Sequence, residues 1–314
     1  MQTLKNHRHG VAVLGIYVAD LAFRAARLPG VGETVAGSGF AIGPGGKGSN
    51  QAVAAARAGA RVTLLSKIGR DTFGETALAL WAKEGIVARV TQLDDGTTGA
   101  AFIYVNDRTG ENAIIVVAGA AETIGVADID AMADAIRGAH VFMTQLEQPA
   151  AAALRGLQIA RAAGTLTIFN PAPAIAFDDG IYPLCDYLTP NEHEASLLTG
   201  LKVTCLDEAR RAGDVLLARG VGHALITLGA QGALLHGRNS SVHIAPRNAG
   251  LVIDTTGAGD AFNGGFAAAL AEGANALEAA HFASAVAAIS VTRSGTAPSM
   301  PLRHEIDALL GATA

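Results

Sequence analysis

Two glycine-rich segments, one in each half of the chain, carry the residues best suited to chemistry. In 254–260, Asp-Thr-Thr-Gly-Ala-Gly-Asp, a strand-like run at 251–253 leads into Gly257, Ala258 and Gly259, and a helical pattern begins near Asp260. Glycines there let the backbone turn sharply, so that several N–H groups converge at a helix N-terminus. That is an anion site, favoured by the helix dipole and suited to a phosphate or to developing negative charge. Asp260 is the unexpected member. An Asp in a first helical turn ordinarily caps its own helix. Beside a phosphate, however, a carboxylate is repulsive unless it has a task, and accepting a proton from an attacking hydroxyl is such a task.

The second segment, 43–50, reads Gly-Pro-Gly-Gly-Lys-Gly-Ser-Asn and opens the first helical pattern. A P-loop needs Ser or Thr after its Gly-Lys pair, whereas Lys47 is followed by Gly48. Gly43, Gly45 and Gly48 match GxGxxG, but a dinucleotide fold sets that fingerprint directly after its first strand. Here the first apolar run ends at Ile16, the residues 17–20 are Tyr-Val-Ala-Asp, and 33–42 intervenes. A nicotinamide dehydrogenase is therefore disfavoured. A substrate-holding loop with Lys47 and Asn50 directed into a cleft fits better than the plainer reading, a glycine-rich turn in which Ser49 caps the helix.

The elements that must position these segments follow from the pattern of apolar runs. Strands are expected at 11–16, 62–68, 140–145, 165–170, 187–189 and 224–228, with helical stretches between most of them. The Ala-rich helix 50–58 ends at Gly59, a common helix C-terminal residue. This alternation predicts an α/β fold with a mostly parallel sheet covered on both faces. Two regions break the rhythm: 33–42 is short, Gly-rich and strand-like, and 98–105 and 112–117 flank a turn at 106–110 and read as a hairpin. They predict a small separate sheet over the carboxyl ends of the main strands, where such folds bind ligands. The tail turns helical over 257–271 and 274–291, with a last short helix after Pro301.

Composition narrows the partners. The 314 residues are half hydrophobic, enough for one large core. A net charge of −5 and 5% aromatic residues offer no basic footprint or stacking platform for nucleic acid, and none for anionic lipid. The expected substrate is a small molecule. Residues 1–9 are polar and basic, and the apolar stretch that follows is broken by Asp20 and Arg24, so neither a signal peptide nor a membrane span is expected. Cys185 and Cys205 form no CxxC pair and read as small apolar residues, in keeping with a reducing cytoplasm. The histidines form no HxxH or HExxH pattern, and His193 between two glutamates reads as a solvated helix face.

Taken together, 45–54 and 254–260 resemble the paired signatures of the ribokinase-like, or PfkB-type, carbohydrate kinase family. Between them, Gln145-Leu-Glu147, Asn170-Pro-Ala-Pro173, Thr189-Pro-Asn-Glu-His-Glu194, Thr227-Leu-Gly-Ala-Gln-Gly232 and Val291-Thr-Arg-Ser-Gly295 come in the family's order and spacing. The resemblance spans nearly the whole chain. It implies a three-layer α/β/α catalytic domain over 1–314, with a lid sheet from about 33–43 and 98–118 inserted in it. It implies ATP-dependent phosphorylation of the primary, 5-hydroxyl of a pentose, ribose foremost, by in-line γ-phosphoryl transfer. Asp260 matches the base, and Gly257, Ala258 and Gly259 the anion hole. Asp20, Gly46, Lys47, Asn50 and Glu147 match sugar contacts. Asn191, Thr227, Gly229 and Gly232 match the nucleotide side, joined by Gly259 and Ser284. Asn191 and Glu194 fall on the family's NxxE pattern, linked to Mg²⁺ and phosphate placement. Asp254, Thr256, Ser290, Arg293, Gly295 and Ser299 match a K⁺ loop. The family's lid sheets often pair, which implies a homodimer.

Two departures bear on specificity. Ribose members of the family usually carry Asn two residues before the sugar-binding Asp, and here that residue is Val18; Ser284 stands where close relatives have His near the adenine. The first opens 2-deoxyribose, another furanose or a nucleoside as alternatives. A non-catalytic sugar-binding relative would lack the base or the anion hole, and both are present.

Overall fold

The computed structural model describes residues 10–311, so the expectation for 1–9 lies outside the described residues. The chain opens with β1 (Val11–Leu14), β2 (Val18–Ala25), β3 (Gly39–Gly45), α1 (Lys47–Arg57), β4 (Val62–Gly69), α2 (Thr72–Lys83) and β5 (Val87–Leu93). Next come β6 (Thr98–Asn106), β7 (Asn112–Gly119), α3 (Val126–Ala131), α4 (Ala133–Gly138), β8 (Val141–Thr144), α5 (Ala150–Ala163), β9 (Leu166–Phe169) and β10 (Tyr187–Leu188). It closes with α6 (Glu192–Thr199), α7 (Leu206–Ala218), β11 (His223–Thr227), β12 (Ala233–Gly237), β13 (Ser240–Ile244), α8 (Ala258–Ala271), α9 (Ala276–Ser290) and α10 (Arg303–Gly311).

Nine strands form the large sheet, in the order β13-β12-β11-β10-β9-β8-β1-β4-β5. It is parallel from β5 to β11, and β12 and β13 add an antiparallel edge that the apolar runs did not signal. Side chains alternate across the pleat and build two cores. Val11, Val13, Leu64 and Met143 pack under α1, α8 and α9, whereas Ala12, Leu14, Phe142 and Phe169 pack under α3, α5 and α7. The three layers and the mostly parallel sheet match the fold expected from sequence. Among the described residues no helix is long and apolar enough to cross a membrane.

The small sheet has the order β3-β2-β6-β7. The 98–118 hairpin lies where expected, but the other half differs. Residues 33–38 form no strand; Glu33 is instead drawn into a turn, where it accepts from the Arg27 guanidinium at 2.6 Å and from the Gly30 N–H at 2.9 Å. The missing partner is β2, whose Asp20 and Arg24 were read as breaks in an apolar stretch. They share one face of the strand with Val18 and Ala22, and Leu21 and Phe23 lie on the opposite face. The strand-like run at 251–253 is also no strand. Leu251, Val252 and Ile253 are exposed, and the N–H groups of Ile253 and Asp254 donate to the Val291 carbonyl just past α9 rather than to a strand.

β1 is paired on one side with β4 and on the other with β8, so the chain order of the sheet reverses there. Crevices outside the carboxyl ends of strands at such a switch point are where open α/β sheets bind ligands. The chain places β2 and β3 between β1 and α1, which hangs the small sheet over this crevice.

Candidate active site

The two glycine-rich segments meet in the crevice. Gly46 is the residue before α1, with φ 87°, and a Cβ there would lie 2.5 Å from the Ile16 carbonyl oxygen; only glycine fits. Gly257 holds the same place before α8, with φ 78°, and a Cβ there would press against Thr296 at 3.3 Å. Neither helix begins with a side-chain cap of its own. For α1 the deficit is met from afar: Glu147 Oε2 accepts from the Lys47 N–H at 2.7 Å. The Ser49 cap suggested by the plainer reading is not made, because Ser49 Oγ accepts from Trp81 Nε1 at 2.9 Å.

Asp260 lies in the first turn of α8 but does not cap it. Its carboxylate turns to α1, where Asn50 Nδ2 donates to Oδ2 at 3.1 Å and Gln51 Nε2 donates to Oδ1 at 3.0 Å. Burial pushes its pKa above the ordinary carboxylate value, against the Lys47 charge and the two amides. Lys47 is raised in turn, chiefly by Asp260, and feels Glu147 and Glu194 as well. Burial drives Glu147 up to about 7 and Asp20, on β2, up to about 6. The crevice thus concentrates carboxylates around one ammonium, with a buried Asn50 Oδ1 that has no hydrogen-bond partner among the described residues. Acceptors held this way, short of donors, suit a polyhydroxyl ligand.

Next to this cluster, Asn191 caps α6: its side chain accepts from the Glu194 N–H, and the Glu194 carboxylate accepts from the Asn191 N–H, both at 2.8 Å. The Asn-x-x-Glu spacing is therefore a capping box. It also holds Glu194 buried and facing Lys47, and burial raises Glu194 against the Asn191 N–H. Asn191 bridges to Thr227 at the end of β11, and Gly229 and Gly232 bound the turn that follows. Ser284 is buried on α9.

The 290–299 loop is tied to the start of this region by Asp254, which accepts from the N–H groups of Gly295 and Thr256, each at 2.9 Å. Burial pushes Asp254 up, but these two donors outweigh it and hold the carboxyl below its usual range. Ser290 Oγ donates to Ala287 O, Ser299 Oγ donates to Thr296 O, and Arg293 pairs with Glu305. Among the described residues no three His, Cys, Asp or Glu side chains cluster as a metal site.

Sequence reasoning missed Gln51, Gln145, Asn170 and Asn263. All four sit inside or beside quoted motifs, yet only their contacts reveal them: Asn263 links the Gly259 carbonyl (2.9 Å) to the Thr189 hydroxyl (2.6 Å) beneath the 257–259 turn.

Residues 8–303 match the pfkB family carbohydrate kinase family. The chain is 39% identical to a ribokinase of Haemophilus influenzae over 95% of its own length and 97% of that protein's. It is 40% identical to a ribokinase of Mus musculus, covering 94% and 93% of the two chains. A deoxyribokinase of Salmonella typhimurium is 35% identical over 93% of this chain and 95% of its own. Among solved structures, Arabidopsis thaliana ribokinase complexed with ribose and ATP superposes with a TM-score of 0.90 at 29% identity, covering 96% and 98%. The chain belongs to the PfkB family of carbohydrate kinases. It is an ATP-dependent sugar kinase.

Proposed function

We propose that the chain phosphorylates ribose at its 5-hydroxyl, with Asp260 as the base. The observation that carries this reading is the Asp260 carboxylate, turned away from its own helix to face Asn50 and Lys47 while remaining one residue from the anion-hole turn. Asp20, Gly46, Lys47, Asn50 and Glu147 would hold the sugar. Asn191, Thr227, Gly229, Gly232 and Ser284 would line the nucleotide. A Cβ on Gly259 would meet nothing within 4 Å among the described residues, which leaves room for a phosphoryl group above the backbone of Gly257 and Ala258. Asp260 takes the proton as the sugar oxygen attacks in line, and the first turn of α8 stabilises the charge on the equatorial oxygens. The chain works as one catalytic domain, with the small sheet as its lid, which excludes water as a competing acceptor.

Mg²⁺ fits the donor set if phosphate oxygens and waters supply most of its ligands, with Glu194 acting on it indirectly. When bound it would neutralise charge on the phosphates. K⁺ fits the oxygen-rich loop formed by Asp254, Thr256 and residues 290–299, where the ionised Asp254 supplies the charge. Activity is then expected to be higher in K⁺ than in tetramethylammonium at equal ionic strength; equal rates would remove the K⁺ assignment.

A homodimer through the lid is supported by its outer face, where Phe23, Phe40, Ile42, Phe102, Ile115 and Val117 are exposed together. Light scattering should report twice the chain mass, and a monomer at micromolar concentration would count against it. Soluble, cytoplasmic operation fits the composition.

The second reading, 2-deoxyribose, has one specific support. Val18 is 4% exposed, and its Cγ1 stands 2.8 Å from where a Cβ on Gly99 would lie, so this side of the pocket wall is apolar and filled. A hydroxyl buried against it lacks a partner, which typically costs about 1–3 kcal/mol. Apolar pockets reject an extra hydroxyl only weakly, by about 10²-fold at most. Measuring kcat/KM for ribose and 2-deoxyribose in the wild type and in Val18→Asn separates the readings. Ribose is expected to be used, with the ribose-to-deoxyribose ratio rising in Val18→Asn. A wild type that turns over 2-deoxyribose alone would overturn ribose, and an unchanged ratio would free Val18 from any role.

A further inference from the structure

Gln51 has no part in the mechanism so far, yet it is fully buried one residue after Asn50 and touches the Asp260 carboxylate directly. Its amide cannot turn freely. Gln145 Nε2 donates to Gln51 Oε1, which marks that end as the acceptor. Gln51 Nε2 then gives one hydrogen to Asp260 Oδ1 and the other to Asn170 Oδ1 at 3.2 Å. Asn170 is itself oriented, since its Nδ2 donates to the Thr189 carbonyl at 2.8 Å. Gln148 braces the far end, donating to the Gln145 carbonyl at 2.6 Å and to Thr144 Oγ1 at 2.9 Å. A flipped Gln51 would aim its oxygen at both the Asp260 carboxylate and Asn170 Oδ1, two acceptors, and lose three bonds.

The two amides on Asp260 differ in kind. Asn50 keeps a buried oxygen without a partner and matches a sugar contact, so its side chain has a further bond to make when a polyol arrives. Gln51 has both ends engaged by protein and none left for a ligand. We propose that Gln51 is a positioning residue for the base, its amide locked by Gln145 and Asn170 so that Oδ1 of Asp260 is permanently held and Oδ2, which accepts from Asn50, keeps a lone pair for the acceptor hydroxyl. The proposal rests on reading Asp260 as the base.

A donor that cannot rotate into an acceptor favours the ionised carboxylate, and this opposes the burial that pushes Asp260 up. The charged groups facing Asp260 act in both directions: Lys47 on α1 favours ionisation, whereas Glu147 beyond β8 and Glu194 on α6 oppose it, and Asp20 on β2 acts on Glu147. With Gln51 replaced by an apolar side chain, the Asp260 pKa must rise. Below that pKa the base is protonated and inactive, so rate is lost at low pH and returns as pH climbs.

The test is the pH profile of kcat/KM for ribose at saturating ATP, in wild type and Gln51→Met side by side so that titration of ATP cancels. The acid limb is expected to move up by about one pH unit, the effect of one hydrogen bond to a charged group, with most of the lost rate regained above the new limb. A limb that stays in place, or a fall of equal size at every pH, overturns the proposal. If Gln51→Met does not fold, Gln51→Asn carries the same expectation, because it keeps an amide in the chain but draws it back from Asp260 by one methylene. Asp260→Asn separates this inference from the reading beneath it. That variant should lose about 10²–10⁴-fold in kcat; if it keeps over half the rate, the base assignment itself fails.

Discussion

The Asp260 carboxylate, buried and bonded to two amides of a different helix, is the contact on which the site depends. It joins residues 210 positions apart in the chain and fixes the first turn of α8 against the first turn of α1. A buried carboxylate stripped of such donors would either protonate or draw in water, because charge in a poorly hydrated interior is costly unless it is paired and hydrogen-bonded. The packing beneath supports the same closeness: Gly264 on α8 lies so near Ala54 and Ala55 of α1 that a Cβ would come within 2.5 Å of Ala54 Cβ. The two glycine-rich segments therefore share one junction.

Around that junction the electrostatics are deliberately incomplete. Glu147, Glu194 and Asp260 crowd about Lys47, Asp20 acts on Glu147, and burial raises all four carboxyls. Nothing in folding alone favours such a cluster. Hydroxyl donors from a sugar would supply what the carboxylates lack, and a neutral polyol can do so without bringing in charge of its own. The same shortage explains why one cationic side chain suffices. Lys47 is held by its surroundings rather than by a single ion-pair partner, which leaves its position governed by the cleft as a whole.

Much of this was legible in the chain. The turn at 257–259, the loop at 43–50 and the parallel sheet follow from glycine placement and apolar runs, which are local signals. What escaped was non-local or disguised. β2 was hidden because Asp20 and Arg24 interrupt an apolar stretch, although both lie on one face of the strand, four positions apart. Residues 251–253 look like a strand, but strand character needs a neighbouring edge, and their N–H groups found the end of α9 instead. Gln51, Gln145 and Asn170 come from three separate segments, and no spacing rule links an amide in a helix to amides beyond two different strands. Asn191 and Glu194 show the converse: a spacing read for its chemistry is seen in the structure as the capping box of α6, which holds Glu194 facing Lys47.

A carboxylate set beside an anion hole can act as a base or as a nucleophile that takes the phosphoryl group onto itself. Asn50 and Gln51 each donate to one oxygen of Asp260, and each oxygen keeps a further lone pair with which to receive a proton. Base catalysis requires one in-line displacement; a phosphoaspartate intermediate requires two. The stereochemistry at phosphorus distinguishes them directly, using ATP made chiral by oxygen isotopes at the γ-position and analysing the configuration of the sugar phosphate. The account predicts inversion, and retention of configuration would contradict it.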